Sequence, residues 1–144
     1  MTAGRIVIIT VAVVAALASL PVRSGSETPK QFDVCQVIAS AAELNGQYLS
    51  IRGNFEKGIQ YTDLSSPNCK KAIAIRPTDA ASADPGFKAI LAVYYCPPFQ
   101  SKAKHISGDF VGRFEWKQGR IPEWLLHVDR VSNVRIEVES CGVP

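Results

Sequence analysis

Side chains suited to acid–base or metal chemistry are few in this chain and widely spaced. His105 lies in the polar run Ser-Lys-Ala-Lys-His, and His127 lies on the outward side of a predicted strand. With Asp129 they could form a two-histidine site for a transition metal, but no second histidine or acid stands at ligand spacing from either one. We therefore expect both histidines to be surface residues, and we predict no metal and no cofactor.

Hydrolytic and nucleotide-binding motifs are absent from the sequence. It contains no Gly-x-Ser-x-Gly, no His-Glu-x-x-His, no Gly-x-Gly-x-x-Gly and no phosphate-binding P-loop. Four acids could supply a carboxylate pair, but scattered acids on a sheet are usually solvated. These acids are Asp63, Asp109, Glu115 and Glu123. A metal-dependent or hydrolytic enzyme is thus the least favoured function, and we predict no catalytic residues.

Aromatic and arginine side chains form the stronger candidate for a binding site. Bases and sugars stack on aromatic rings, and arginine binds phosphate, so such a set suits a single-stranded nucleic acid or a glycan. The predicted ligand-binding residues are Arg52, Tyr61, Arg76, Trp116, Arg120 and Trp124. In the alternative interpretation, Trp124 closes one end of the core, and the arginines are ordinary outward residues of a sheet.

Four cysteines point to disulfides rather than to zinc. They are Cys35, Cys69, Cys96 and Cys141, and no two are closer than 27 positions, whereas structural zinc sites favour closely spaced pairs. An even number in an exported domain predicts two disulfides, for which three pairings exist. We predict that Cys69 pairs with Cys96, and that Cys35 pairs with Cys141.

A β-hairpin is predicted at residues 44–69, and it positions Arg52, Tyr61 and Cys69 among the candidates above. After a turn at Asn45-Gly46 the sequence alternates with a period of two, which predicts a strand, and a second turn at Lys57-Gly58 sends the chain back. The residues predicted to face inward are Leu49, Ile51, Gly53 and Phe55.

The remaining segments complete a mainly β domain. Residues 72–76, 106–115 and 124–131 are predicted strands, and 134–138 extend the sheet; 33–42 and 86–96 are predicted helices, and 79–85 a loop. Asp33 is the predicted cap of the first helix, whose buried face is predicted to comprise Val34, Val37, Ile38 and Ala41. The predicted order of elements is a helix, three strands, a helix or loop, and two strands. This is the order of an OB-fold. We therefore predict a five-stranded OB-fold-like barrel over residues 33–144.

The N-terminus predicts export. Residues 1–24 contain an apolar run, Ile6 to Leu20, that is typical of a signal peptide, and 25–32 are a predicted flexible lead-in. An uncleaved membrane anchor is the alternative, but this run falls short of the ~20 residues that span a bilayer. Because Arg5 and Arg23 lie in the leader, the charge of +3 falls to +1 for the remainder. This near-neutral charge disfavours a dedicated nucleic-acid binder.

Several motifs give the chain a family resemblance. A short Cys-bearing helix precedes Leu-Asn-Gly-Gln-Tyr-Leu-Ser-Ile-Arg-Gly, which is followed by a Gly-containing hairpin, Leu-x-x-Pro-x-Cys and, later, Gly-Asp-Phe-Val-Gly-Arg-Phe-Glu. Over Val34 to Val134 this pattern resembles small exported bacterial OB-fold-like domains of uncharacterised role. The resemblance implies the fold and carries no catalytic residues.

Together these observations predict a secreted or periplasmic binding module. Its expected partner is another envelope or extracellular protein, and nucleic acid is not the expected ligand. Contact with a membrane is expected only through the signal peptide.

Overall fold

The computed structural model describes residues 28–57, 60–94 and 103–138. The predicted signal peptide, Cys96 and Cys141 lie outside the described residues. Six strands and four helices follow one another along the described chain: β1 (Gln31–Asp33), α1 (Val34–Ala39), α2 (Ala41–Leu44), β2 (Tyr48–Lys57), β3 (Thr62–Ser65), β4 (Ile73–Pro77), α3 (Asp79–Ala83), α4 (Pro85–Tyr94), β5 (Ala103–Trp116) and β6 (Trp124–Val138).

The six strands form one mixed sheet, which confirms the predicted mainly β fold. β2 pairs antiparallel with β3 and with β5, β3 pairs antiparallel with β4, and β6 pairs antiparallel with β5. Because β4 also pairs with β6, in parallel, hydrogen bonds run in a ring through these five strands. Strand β1 was not predicted. Gln31 and Phe32, expected in the flexible lead-in, pair in parallel with β2.

The core lies inside this ring, where alternate residues of the long strands meet. The inward side of β2 is buried as predicted, and Phe110, Phe114, Leu126 and Val128 are fully buried. Gly112 lets β5 and β6 approach closely, because a Cβ at this position would overlap the carbonyl oxygen of His127. A residue without a side chain is therefore required at this position of β5.

The helix predicted at residues 33–42 is divided into two. Asp33 is the N-cap of α1 as predicted, accepts a 2.9 Å hydrogen bond from the backbone N–H of Gln36, and forms a capping box with it. The helical path is interrupted at Ser40, where the backbone leaves the helical region, and α2 begins at the next residue. Val34, Val37 and Ala41 are buried, so the predicted apolar face is retained across the interruption.

Residues 79–85, predicted as a loop, contain helix α3 instead. The reason is tertiary: both ends of α3 are bonded to β6. The N–H of Thr78 donates to the Val128 carbonyl at 2.8 Å, and Asp84 Oδ2 accepts from the Val131 N–H at 3.0 Å. Asp84 also accepts from the Phe87 N–H at 2.8 Å, which caps the predicted helix α4.

Candidate ligand-binding face

The strand register aligns four outward side chains across the sheet. Tyr48 on β2 stands opposite Arg113 on β5, Arg113 opposite His127 on β6, and His127 opposite Arg76 on β4. Directly opposite residues of neighbouring strands bring their Cβ atoms to within about 5.5 Å. Residues distant in sequence therefore form one polar row, which we call the transverse row.

A pocket of about 210 Å³ lies at the Arg76 end of the transverse row. We call it the Arg76–Arg120 pocket. The loop between β5 and β6 forms one wall, and this loop is closed by a 2.9 Å hydrogen bond from the Lys117 N–H to the Glu123 carbonyl. The residues lining the pocket are Arg76, Glu115, Lys117, Arg120, Ile121, Pro122, Glu123 and Leu125.

The acids of this pocket have hydrogen-bond partners, and its arginines have none among the described residues. Glu115 lies 2.5 Å from the Lys117 ammonium, and the pKa of Glu115 is lowered by hydrogen bonds from Lys117 and His127. Glu123 accepts a hydrogen bond from the Trp116 indole at 3.3 Å. Within the described ranges, neither Arg76 nor Arg120 has an ion pair or a side-chain hydrogen bond. The pocket therefore presents two guanidinium groups that are free to bind an anion.

A second pocket, of about 360 Å³, lies at the Tyr48 end of the transverse row. The irregular register between β5 and β6 at Val111 and Gly112 places Asp129 in this pocket, where it accepts a hydrogen bond from the Thr78 hydroxyl at 2.5 Å. Burial, followed by a hydrogen bond with Asp129, raises the pKa of the Tyr48 phenol. The Tyr48 phenol therefore lies beside Asp129 and loses its proton less readily than a free tyrosine.

The chemistry of His127 in this second pocket is limited. Its Nε2 lies 3.1 Å from Glu115 Oε2, which orients the imidazole, but in the described chain no hydroxyl or thiol is hydrogen-bonded to it. His105 is exposed opposite Glu137 on β6. Nor do residues 28–57, 60–94 and 103–138 contain a group of three His, Cys, Asp or Glu that could hold a metal ion.

A groove of about 520 Å³ surrounds Arg52 farther along β2 and β5, and also contains Arg135 and two asparagines. Beneath it lies Asp109, whose side chain is 6% exposed. The carboxylate accepts hydrogen bonds from Arg52 at 2.8 and 3.1 Å, from Gln31 at 2.6 Å and from Asn133 at 2.6 Å. Burial acts to raise the pKa of Asp109, but these hydrogen bonds outweigh it and lower the pKa. The main role of Arg52 is therefore to join β2 to β5 through Asp109.

The two tryptophans contribute to the core more than to a surface. Trp116 and Trp124 are partly buried and pack against the core cluster, and the Lys71 ammonium lies 4.7 Å from the Trp124 ring centroid. Among the described residues, the buried Trp124 Nε1 has no hydrogen-bond partner. This arrangement agrees with the alternative in which Trp124 closes one end of the core.

The structure thus divides the six predicted binding residues. Arg76 and Arg120 share one pocket, with Trp116 bonded to its wall, and Trp124 lies opposite Trp116 at the start of β6. Arg52 lines the separate groove, and the exposed Tyr61 lines none of the three cavities above. Sequence reasoning missed the contributions of Arg113 and Lys117, although Arg113 has the outward parity of β5 and Lys117 follows that strand directly.

Comparison with protein-family models, curated proteins and solved structures finds no match to this chain. Among the described residues, no helix combines the length and the apolar character needed to cross a membrane.

Proposed function

We propose that the protein is an exported OB-fold-like barrel that binds an acidic, partly apolar segment of another envelope or extracellular protein. The five-strand ring, the parallel pairing of β4 with β6 and the helices between β4 and β5 support an OB-fold. The apolar run after Arg5 and the four cysteines support export.

The observation that carries this proposal is the charge pairing in the Arg76–Arg120 pocket. Two arginines with no partner among the described residues face a space whose carboxylates are already engaged by Lys117, His127 and Trp116. A guanidinium group binds a carboxylate through two parallel hydrogen bonds, which gives both affinity and orientation. An acidic side chain of a partner would therefore bind here without displacing an internal ion pair.

Ile121 explains why an acidic segment of a protein is favoured over a simple anion. It lines the same pocket and is 83% exposed. An exposed aliphatic side chain beside two cations suits a ligand that carries an apolar group next to its negative charge. Acidic segments of proteins that also contain leucine or valine have this composition.

The two alternative functions receive less support. A single-stranded nucleic acid or glycan would stack on Trp116 and Trp124, but both rings pack against the core. A hydrolase would use His127, but no nucleophile among the described residues is hydrogen-bonded to its imidazole.

The proposal is tested by titrating the protein with a short Trp-free peptide rich in Glu and Leu. Because the Trp116 indole is bonded to Glu123 in the pocket wall, we expect binding to change tryptophan emission. Replacing Arg76 or Arg120 with Gln should weaken binding about tenfold, since each removes one charge-assisted contact worth ~1.4 kcal/mol. Added salt should weaken binding further.

Arg135→Gln is the matched control, because Arg135 is also an exposed arginine but lines the other groove. It should bind the peptide as the parent protein does. Equal binding of a Lys-for-Glu peptide, or unchanged binding by both pocket variants, would contradict the proposal. Tighter binding of an oligothymidine or an oligosaccharide would instead support the alternative.

A further inference from the structure

Two cysteines from distant parts of the chain meet at the surface of the sheet. Cys35 lies in the first turn of α1, and Cys69 ends a turn that is closed by a 3.0 Å hydrogen bond from its N–H to the Ser66 carbonyl. The side chain of Cys35 lies close to the side chains of Cys69 and Ser66. Both thiols are free in the structure, and both residues are partly exposed.

The backbone on each side of this contact is held by the core. Val34, next to Cys35, is fully buried, and its Cγ2 lies 3.1 Å from the position of a Cβ built on Gly53. The same position is 3.2 Å from the carbonyl oxygen of Ser65, which precedes the turn. Because α1 and the end of β3 pack against the same glycine, the backbone segments that carry the two cysteines are held next to each other.

We propose that Cys35 and Cys69 form a disulfide that joins α1 to the turn between β3 and β4. This pairing differs from the one predicted from the sequence, and it leaves Cys96 and Cys141 as the second pair of a fully oxidised chain. It is independent of ligand binding at the Arg76–Arg120 pocket. The disulfide would join residues 34 positions apart in the sequence and bridge the helix to the sheet.

The oxidant required is another disulfide, of a protein or of a small thiol, and the reaction is thiol–disulfide exchange. One cysteine thiolate attacks a sulfur of the donor, expels one donor thiolate and forms a mixed disulfide. The second thiolate attacks the protein sulfur of this mixed disulfide, forms the Cys35–Cys69 bond and expels the other donor thiolate. The two cysteines lose two electrons, the donor gains them, and the two thiol protons pass to the released thiolates.

The surroundings of Cys35 affect the rate of this reaction. Interaction with the neighbouring Cys69 side chain, followed by burial, raises the pKa of the Cys35 thiol, and the charge of Asp33 acts in the same direction. The thiol therefore keeps its proton at neutral pH, and exchange at this residue should accelerate as the pH rises.

Peptide mapping tests the pairing directly, because trypsin places each cysteine in a different peptide. These peptides are 31–52, 58–70, 89–102 and 136–144. The full chain, folded with a mixture of reduced and oxidised glutathione, should yield peptide 31–52 linked to 58–70, and reduction should separate them. A link from 31–52 to 136–144, or unlinked 31–52 and 58–70 after oxidation, would overturn the proposal.

A double variant isolates the pair. In Cys96→Ser/Cys141→Ser only Cys35 and Cys69 remain, so oxidised glutathione should leave a protein monomer that has no titratable thiol and, by mass spectrometry, carries no bound glutathione. Two titratable thiols would again overturn the proposal. If this variant does not fold, peptide mapping of the parent chain decides whether Cys35 is bonded to Cys69. Cys35→Ser/Cys69→Ser should melt about 10 °C or more below the oxidised parent. The difference in melting temperature should vanish when the variant and the parent are both fully reduced.

Discussion

Asp109 is the residue whose substitution tests the structure most sharply. Its carboxylate is almost fully buried and accepts four hydrogen bonds from Gln31, Arg52 and Asn133. The three donors lie on β1, β2 and β6, whereas Asp109 lies on β5. Asp109→Asn preserves the shape of the side chain and replaces one acceptor oxygen with a donor.

The expected loss of stability follows from the bonding pattern. Each carboxylate oxygen accepts two hydrogen bonds, one of them from Arg52, so either orientation of the new amide loses two bonds. The amide of Gln31 or Asn133 can rotate to present its oxygen, which recovers one neutral bond, but the guanidinium has no acceptor to offer. A lost bond to a charged group costs about 1.5–3 kcal/mol, so we expect a loss of about 2–3 kcal/mol in unfolding free energy.

Urea denaturation followed by tryptophan fluorescence measures this loss, since both tryptophans pack against the core. Glu137→Gln is the control, because it makes the same chemical change at an exposed position of β6 and should stay within about 0.5 kcal/mol of the parent. A loss for Asp109→Asn no larger than that of the control at pH 7 would refute the reasoning.

The pH dependence of this difference provides a second check. The pKa of Asp109 is lower in the folded chain than in the unfolded chain, where it is about 3.9. Above that unfolded value the ionised Asp109 contributes its full stability, and the contribution disappears as the pH falls through the folded value. The difference between parent and variant should therefore shrink in acid, and a constant difference from pH 7 to about pH 3 would contradict the assignment.

Three further substitutions and one control test the packing of the sheet by urea denaturation. Leu126→Ala should lower the unfolding free energy by about 2–5 kcal/mol, because Leu126 is fully buried, whereas Ile121→Ala, at an exposed site, should leave it nearly unchanged. Asp84→Ala should lose about 1–2 kcal/mol, since it removes the cap of α4 and the tie to β6, and an unchanged midpoint would contradict that role. Gly112→Ala should lose about 2 kcal/mol or more, because its Cβ would overlap the His127 carbonyl; parent-like stability would show that the two strands can separate there.

The hairpin of β2 and β3 illustrates what can be predicted from the local sequence pattern alone. The alternation in Leu49, Ile51, Gly53 and Phe55 predicts which side of β2 is buried, because neighbouring side chains of a strand point to opposite faces. The cap at Asp33 was predictable for the same reason, since its partner Gln36 is only three residues away. Both properties depend on contacts between close neighbours in the sequence.

Strand β1 and helix α3 show where local pattern fails. β1 is three residues long and forms only because β2 offers an edge for parallel pairing. α3 is five residues long, and its flanking residues are anchored on β6, some fifty positions away for Thr78. Neither segment has a period long enough to be recognised without its partner.

The candidate site was predictable in its residue types and not in its grouping. Arg76 and Arg120 were candidates because of their chemistry, and the pairing of β4 with β6 together with the β5–β6 loop decided that they share a pocket whose acids are already hydrogen-bonded. The same reasoning separates Arg52, which is bonded to Asp109, from the other arginines. Charge pairing depends on distances between strands, and composition does not contain these distances.

The sequence by itself determined the mainly β character, the inward faces of the strands and the N-cap of the first helix. These properties depend on side chains a few positions apart, whose spacing is set by backbone geometry. Tertiary structure alone decided the closure of the ring through β4 and β6, the transverse row and the contact of Cys35 with Cys69. Each joins residues distant in sequence, and their meeting depends on how the strands pair and on what the core can bury.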